Sequence, residues 1–169
     1  MNPWNGAIGL KVAEIGRAFG LRLLAYSRTE REAAKAFGVR YTGLGDLLAR
    51  SDIITLHVPL NDSTRALIGQ KRISLMKPSS ILINTARGPV VDNRALAEAL
   101  KEGRIAGAGI DVYGKEPPLE EDNPILSAPN TLLSPHVAFA TEEATERRAG
   151  IAFGNVISWL GGVERNTVV

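Results

Sequence analysis

A chain of 169 residues with 44% hydrophobic content is long enough for one well-buried domain and too short for two of ordinary size. Its 20 basic and 18 acidic residues are scattered, so no charged block suggests a nucleic-acid or membrane surface. The absence of cysteine excludes disulfides and thiolate metal sites, and two histidines, His57 and His136, are too few for a histidine metal cage. There is no basic segment followed by an apolar core at the start and no run of about 20 apolar residues, so a soluble, cytoplasmic protein is expected.

The chain opens on "WNGAIG", in which Gly6 and Gly9 keep the spacing of the last two glycines of a G-x-G-x-x-G phosphate-binding turn, with Trp4 where the first would stand. No strand-like run precedes it. Ile8, Val12, Ile15 and Phe19 then fall at helical spacing with Gly20 as C-cap, which predicts a helix with one buried stripe. "LRLLAY" (21–26), "SDIITLHVP" (51–59) and "SSILINTARG" (79–88) read as strands buried on both faces, because their apolar residues run together without alternation. Helices are expected over 30–37, 44–49, 70–75 and 93–102, the last capped by Asp92. "IAGAGIDV" and "TLLSPHV" are further strands, "GKEPPLEEDNP" a turn-rich surface loop, and 142–160 a long helix before a frayed tail.

Alternating strands and helices imply an α/β, Rossmann-like, doubly wound parallel sheet covered by helices on both faces. Residues 1–141 form the dinucleotide-binding domain and 142–169 a crossover helix and tail. With no strand before the opening turn, the slot between "LRLLAY" and "DIITLHV" in the order 3-2-1-4-5-6 lacks its occupant. Closure of these two segments onto each other, or a local distortion, is expected in place of an open slot, since open edges beneath apolar helices would leave backbone groups unpaired.

"HVPLNDSTRALIG", "KPSSILINTARGPVVDNRALAEALKEGRIAGAGIDVYGKEPP" and "NTLLSPHVAFAT" together resemble the D-isomer-specific 2-hydroxyacid dehydrogenases, a family that includes glycerate, phosphoglycerate and glyoxylate or hydroxypyruvate enzymes. The resemblance covers the nucleotide-binding domain only. It implies an N-terminally truncated domain lacking the first strand and the separate substrate domain. Hydride transfer between NAD(P)H and a small 2-oxo or 2-hydroxy acid of D configuration is the implied reaction, and a homodimer the implied assembly. A non-catalytic nucleotide-binding or dimerisation module is the alternative.

Three catalytic residues are carried over by the resemblance. Arg87, ending "ILINTAR" at the carboxyl edge of a strand, can hold a carboxylate and polarise a carbonyl with one planar fork. His136, after "LSP", is the implied general acid, which suits a group whose ordinary pKa is about 6.5. Glu116, in "GKEPP", is the implied partner that orients it. Cofactor contacts follow similarly. Gly6, Ala7 and Ile8 would face the pyrophosphate at a helix N-terminus. By the same resemblance His57 lines the pocket, Val58 and Pro59 form an adenine-side wall, and Thr64 is a phosphate-side contact. Thr85 and Ala86 neighbour the nicotinamide, Asp111 accepts from its carboxamide, and Ala138 is a further cofactor-binding residue. Ser27, Arg28 and Thr29 stand where an acid would select NAD, which favours NADP.

Overall fold

The computed structural model describes residues 6–117 and 121–167; Trp4, which stands in the fingerprint's first glycine position, lies outside them. Among the described residues twelve regular elements, six strands and six α-helices, run in the order α1 (Ala7–Ala18), β1 (Leu24–Ala25), α2 (Glu32–Lys35), β2 (Arg40–Tyr41), α3 (Leu44–Arg50), β3 (Ile53–Leu56), α4 (Gln70–Ile73), β4 (Ile81–Asn84), α5 (Asn93–Lys101), β5 (Gly107–Ile110), β6 (Thr131–Leu133) and α6 (Glu142–Leu160). Short 3₁₀ turns occupy Gly88–Val90 and Pro124–Ser127.

The apolar runs do become parallel strands. β3, β4, β5 and β6 form one sheet in that order, with Leu82 of β4 opposite Ile54 on one side and Ala108 on the other. Leu48, Ile54, Leu82, Leu96, Ile110 and Ile125 are all buried in the core around it. α5 supplies Leu96 and Leu100, and its start is fixed as expected: the Asp92 carboxylate accepts from the Arg94 and Ala95 amides, each at 3.1 Å.

The front of the chain departs from expectation in three ways. "LRLLAY" narrows to Leu24–Ala25, and its partner is β2, a pair of residues with no apolar run to announce it. β1 and β2 form a separate two-stranded sheet, so the expected closure of β1 onto β3 does not occur. Nor is the α1 stripe buried: Ile8 is 68% exposed and Phe19 80%.

The glycines of α1 explain the exposed stripe. A Cβ at Gly16 would stand 2.9 Å from Leu23 Cδ2, and one at Gly9 would stand 3.7 Å from His57 Cβ. The helix therefore meets the approach to β1 with one end and the exit of β3 with the other, bridging the two sheets along its glycine edge. At about 100° per residue that edge lies roughly a quarter-turn from the Ile8–Phe19 stripe, which is left without a surface to cover. Helix α6 likewise buries no residue; Phe153, Ile157, Trp159 and Leu160 are exposed along it. Among the described residues no helix is long and apolar enough to cross a membrane, and no three His, Asp or Glu residues cluster as metal ligands.

Candidate active site

Because β3 to β6 run parallel, the turns that follow them emerge at one edge of the sheet. His57 follows β3, Thr85 to Arg87 follow β4, Asp111 to Glu116 follow β5 and Ser134 to Ala138 follow β6. Two of the three expected catalytic residues meet there directly: His136 Nδ1 lies 3.1 Å from Glu116 Oε1. Phe139 packs edge-on against the His136 ring with centroids 6.0 Å apart, and the Arg148 guanidinium of α6 lies over the other ring at 4.9 Å.

His136 sits in an unusual backbone state, with φ at +57°. A non-glycine residue in this left-handed region costs about 1–3 kcal/mol, so the surroundings must hold it there. They do so through Asp111, a carboxylate only 3% exposed. Its Oδ1 accepts from the Ser134 hydroxyl at 2.6 Å and the Val137 amide at 2.8 Å, and its Oδ2 accepts from the Ala138 amide at 3.0 Å. Burial works against the charge on Asp111, but the Ser134 hydroxyl, the two amides and the neighbouring His136 outweigh it, and the carboxyl lies below its usual range. The Tyr113 hydroxyl donates to Ser134 O at 3.1 Å, while the Tyr113 amide points to Glu116 Oε1 at 3.5 Å. Burial, then the charges of Asp111 and Glu116, raise the Tyr113 phenol above its ordinary value.

Arg87 is on the adjacent turn and exposed; its guanidinium donates to Ala86 O at 2.6 Å, and among the described residues it makes no ion pair. The turn itself is set by Asn84, a fully buried polar residue. Asn84 Oδ1 accepts from the Ala86 amide and its Nδ2 donates to Arg87 O, both at 3.1 Å, with Thr85 exposed between. Gly88 then presses on the β5 exit, where a Cβ would come within 2.0 Å of Tyr113 C and O. The Arg87 and Glu116 turns are thus in backbone contact.

The cofactor residues fall in two groups. Gly6 is the N-cap of α1 at φ +92° with no side chain capping the helix, so the first-turn amides of Ala7 and Ile8 face outward without a partner from the helix itself. Arg31, which sequence reasoning did not single out, lies against this point: a Cβ on Gly6 would stand 3.2 Å from its guanidinium carbon. Its amide donates to the Tyr41 hydroxyl at 3.0 Å, and that contact with β2 had no signal in the sequence. Ser27, Arg28 and Thr29 follow β1 and are exposed, with the Thr29 amide 3.4 Å from Ser27 Oγ.

His57 is half-buried, with Nε2 3.0 Å from Thr55 Oγ1; burial pushes its pKa down, which favours the neutral ring. Val58 packs on the core edge and Pro59 is exposed. Thr64 is spent inside its own loop. Its hydroxyl donates to Pro59 O at 2.6 Å and its amide to Asn61 O at 3.0 Å, so a phosphate contact there requires that turn to open.

Comparison with known proteins decides what this arrangement is. Residues 5–138 match the model of the D-isomer specific 2-hydroxyacid dehydrogenase, NAD binding domain. The chain belongs to this family. It is 47% identical over 158 residues to a glyoxylate reductase of Aeropyrum pernix, covering 93% of this chain and 47% of that protein. The fold matches the D-lactate dehydrogenase of Aquifex aeolicus complexed with NAD and lactic acid, with a TM-score of 0.86 and 38% identity over 94% of this chain and 52% of that one. An acyclic imino acid reductase in complex with NADPH and D-Arg gives the same TM-score of 0.86 at 34% identity, over 97% of this chain and 51% of that one. The chain thus spans about half the length of the relatives it matches and carries their Rossmann-like, NAD-binding fold.

Proposed function

We propose that this chain is the cofactor-binding and proton-donating half of an NAD(P)H-dependent reductase that converts a small 2-oxo acid to its D-2-hydroxy acid. The observation that carries the reading is the 3.1 Å contact between Glu116 and His136 at the carboxyl edge of a family-matched sheet. The residues present fit a dinucleotide: the uncapped α1 N-terminus supplies outward amides, and Arg31 places a guanidinium at the same point. The bound nicotinamide supplies the hydride.

The chain's own residues do the rest. Glu116 accepts from the Nδ1–H of His136, fixing the orientation of the ring. Nε2 is then left as the donor toward a carbonyl oxygen. Arg87, exposed on the adjacent turn, pairs its planar fork with the substrate carboxylate and polarises the neighbouring carbonyl.

For the cofactor we infer NADP over NAD. The Ser27–Thr29 turn carries no acid, and the carboxylates that follow it are engaged elsewhere: Glu30 and Glu32 pair with Lys35 at 3.5 and 2.8 Å. A 2′-phosphate therefore meets Arg28 without a competing negative charge. The glyoxylate reductase relative supports a small 2-oxo acid as substrate, and the exposed apolar residues of α6 support assembly, for which a cytoplasmic homodimer is our reading. The test is reduction of glyoxylate, hydroxypyruvate and pyruvate with NADPH and NADH, by the chain alone and by the chain joined to the remaining half of a family member. Turnover by the joined protein that falls by about 10²-fold or more in His136→Ala supports the reading; turnover left undiminished by the substitution overturns it.

A further inference from the structure

The His136 turn is held from both sides by a single side chain. Ser134, before the histidine, donates its hydroxyl to Asp111 Oδ1 at 2.6 Å; Val137 and Ala138, after it, donate their amides to Oδ1 at 2.8 Å and Oδ2 at 3.0 Å. The histidine between them has φ at +57°, in the left-handed region that few non-glycine residues occupy, at a cost that the surrounding contacts offset. Two residues beyond Asp111, Tyr113 donates its hydroxyl to Ser134 O at 3.1 Å and directs its amide to Glu116 Oε1. A closed circuit results: Asp111 to Ser134, Ser134 to Tyr113, Tyr113 to Glu116, Glu116 to the His136 ring, and the His136 turn back to Asp111.

We propose that Asp111 is a positioning residue: its buried carboxylate, held in this circuit with Ser134 and Tyr113, keeps the 134–138 turn in the backbone state that delivers the His136 ring to Glu116. Residue type decides the point. An ionised carboxylate accepts on both oxygens and offers about four lone-pair sites, of which the Ser134, Val137 and Ala138 donors use three. An amide of the same shape has one accepting oxygen, and its NH₂ would confront a backbone N–H, donor against donor. The circuit therefore requires Asp, and it commits most of that carboxylate's accepting capacity to the turn before any ligand arrives.

The inference rests on His136 being the proton donor, but its test reads backbone geometry and does not need turnover. Nuclear magnetic resonance on the isotopically labelled 169-residue chain gives three observables: the His136 amide-to-Hα coupling and Cα shift, the His136 Nδ1 shift, and amide exchange at Val137 and Ala138. The unmodified chain should show a left-handed His136, a hydrogen-bonded Nδ1 and slow exchange at both amides. In Asp111→Asn exchange at these two amides should rise about tenfold or more, and the Nδ1 shift should move to that of a free imidazole. The amide shifts of β3 to β5 should stay in place. A Leu48→Ala chain, destabilised in the core, should leave the His136 signals unmoved, which separates positioning from general loosening.

An unchanged His136 turn in Asp111→Asn overturns the proposal. If that variant does not fold, the unmodified chain and Ser134→Ala decide: fast exchange at Val137 and Ala138 in the first, or an unaltered Val137 amide in the second, overturns it equally. Slow exchange that Ser134→Ala loosens sustains it. Undiminished turnover in the joined His136→Ala protein would remove the proton-donor reading and leave the positioning role of Asp111 standing.

Discussion

His136 Nδ1 and Glu116 Oε1 are 3.1 Å apart although 20 residues separate them in the chain, and both sit on turns leaving neighbouring strands of one sheet. An imidazole held this way keeps one nitrogen for its carboxylate and leaves the other to act. In the joined protein His136→Ala should lower turnover by about 10²–10⁴-fold, the range of general-acid help, with cofactor affinity nearly unchanged. Glu116→Gln should lower the rate as well, since the carboxylate that accepts from Nδ1 and orients the ring is gone. Steady-state rates and cofactor titrations across pH check both, and equal losses in rate and cofactor binding would assign the histidine to binding.

Gly88 couples the Arg87 turn to the Glu116 turn through backbone contact. A methyl group there would meet Tyr113 C and O at 2.0 Å and Gly114 N at 2.6 Å, none of which can swing aside as a side chain would. Gly88→Ala should therefore cost at least the ~1–3 kcal/mol usual for overpacking. It should also displace Tyr113, whose amide and hydroxyl belong to the His136 circuit. Urea unfolding gives the stability, and a loss well under 1 kcal/mol would mean that the two turns separate easily.

Much of this was legible in advance, for reasons that differ by element. β3, β4 and β5 announce themselves as apolar runs, and Ile54, Leu56, Leu82, Ala108 and Ile110 are buried where the strands lie; the expected burial on both faces fails for β3 and β4, whose first residues, Ile53 and Ile81, are 52% and 41% exposed. Asp92 was readable as a cap because a cap is local chemistry. β2 was not readable: Arg40 and Tyr41 form a strand by pairing with Leu24 and Ala25, a long-range event with no apolar signature. The α1 stripe misled because apolar spacing shows what a helix can bury, whereas Gly9 and Gly16 decide what it touches. At the site, Arg87, Glu116 and His136 were found through family resemblance. The polar residues that set their turns, Asn84, Tyr113 and Ser134, resemble any strand-end residues until the fold closes around them.

His57 predicts an acid sensitivity. Burial lowers its folded pKa beneath the unfolded value of about 6.5, so folding favours the neutral ring. The unfolded chain then binds the proton more readily. The stabilisation from a neutral ring is complete above about pH 6.5 and is lost as pH falls from there through the lower folded value. His57→Gln should flatten the fall in urea midpoint between about pH 7 and about pH 5. An equally steep fall in the variant would place the sensitivity in another group.

The turn after β1 predicts a cofactor exchange. Ser27→Asp introduces a carboxylate that can accept from the ribose hydroxyls and repel a 2′-phosphate. The ratio of NADPH to NADH affinity should fall by about tenfold or more, equivalent to at least ~1.4 kcal/mol. Fluorescence titration of both reduced cofactors measures the ratio in the parent and the variant, and tighter NADH binding by the parent would reverse the preference assigned to Arg28.

The separation of the two sheets makes a prediction about β3 that is independent of chemistry. Asp52 O accepts from the Ile81 amide at 2.9 Å, so in the parallel ladder alternate residues Asp52, Ile54 and Leu56 turn their backbone groups toward β4. Ile53 and Thr55 turn theirs the other way, toward the side where β1 does not pair, and Ile53 is 52% exposed although it lies in a strand. Amide exchange should therefore alternate along β3, slow at Ile54 and Leu56 and faster at Ile53 and Thr55 by about tenfold or more, the scale of one net backbone hydrogen bond. The same edge is a template for a further strand, so the contrast should shrink as protein concentration rises if copies pair there. Uniform slow exchange along β3 in dilute protein would mean that this edge is already paired, and that β1 closes onto it after all.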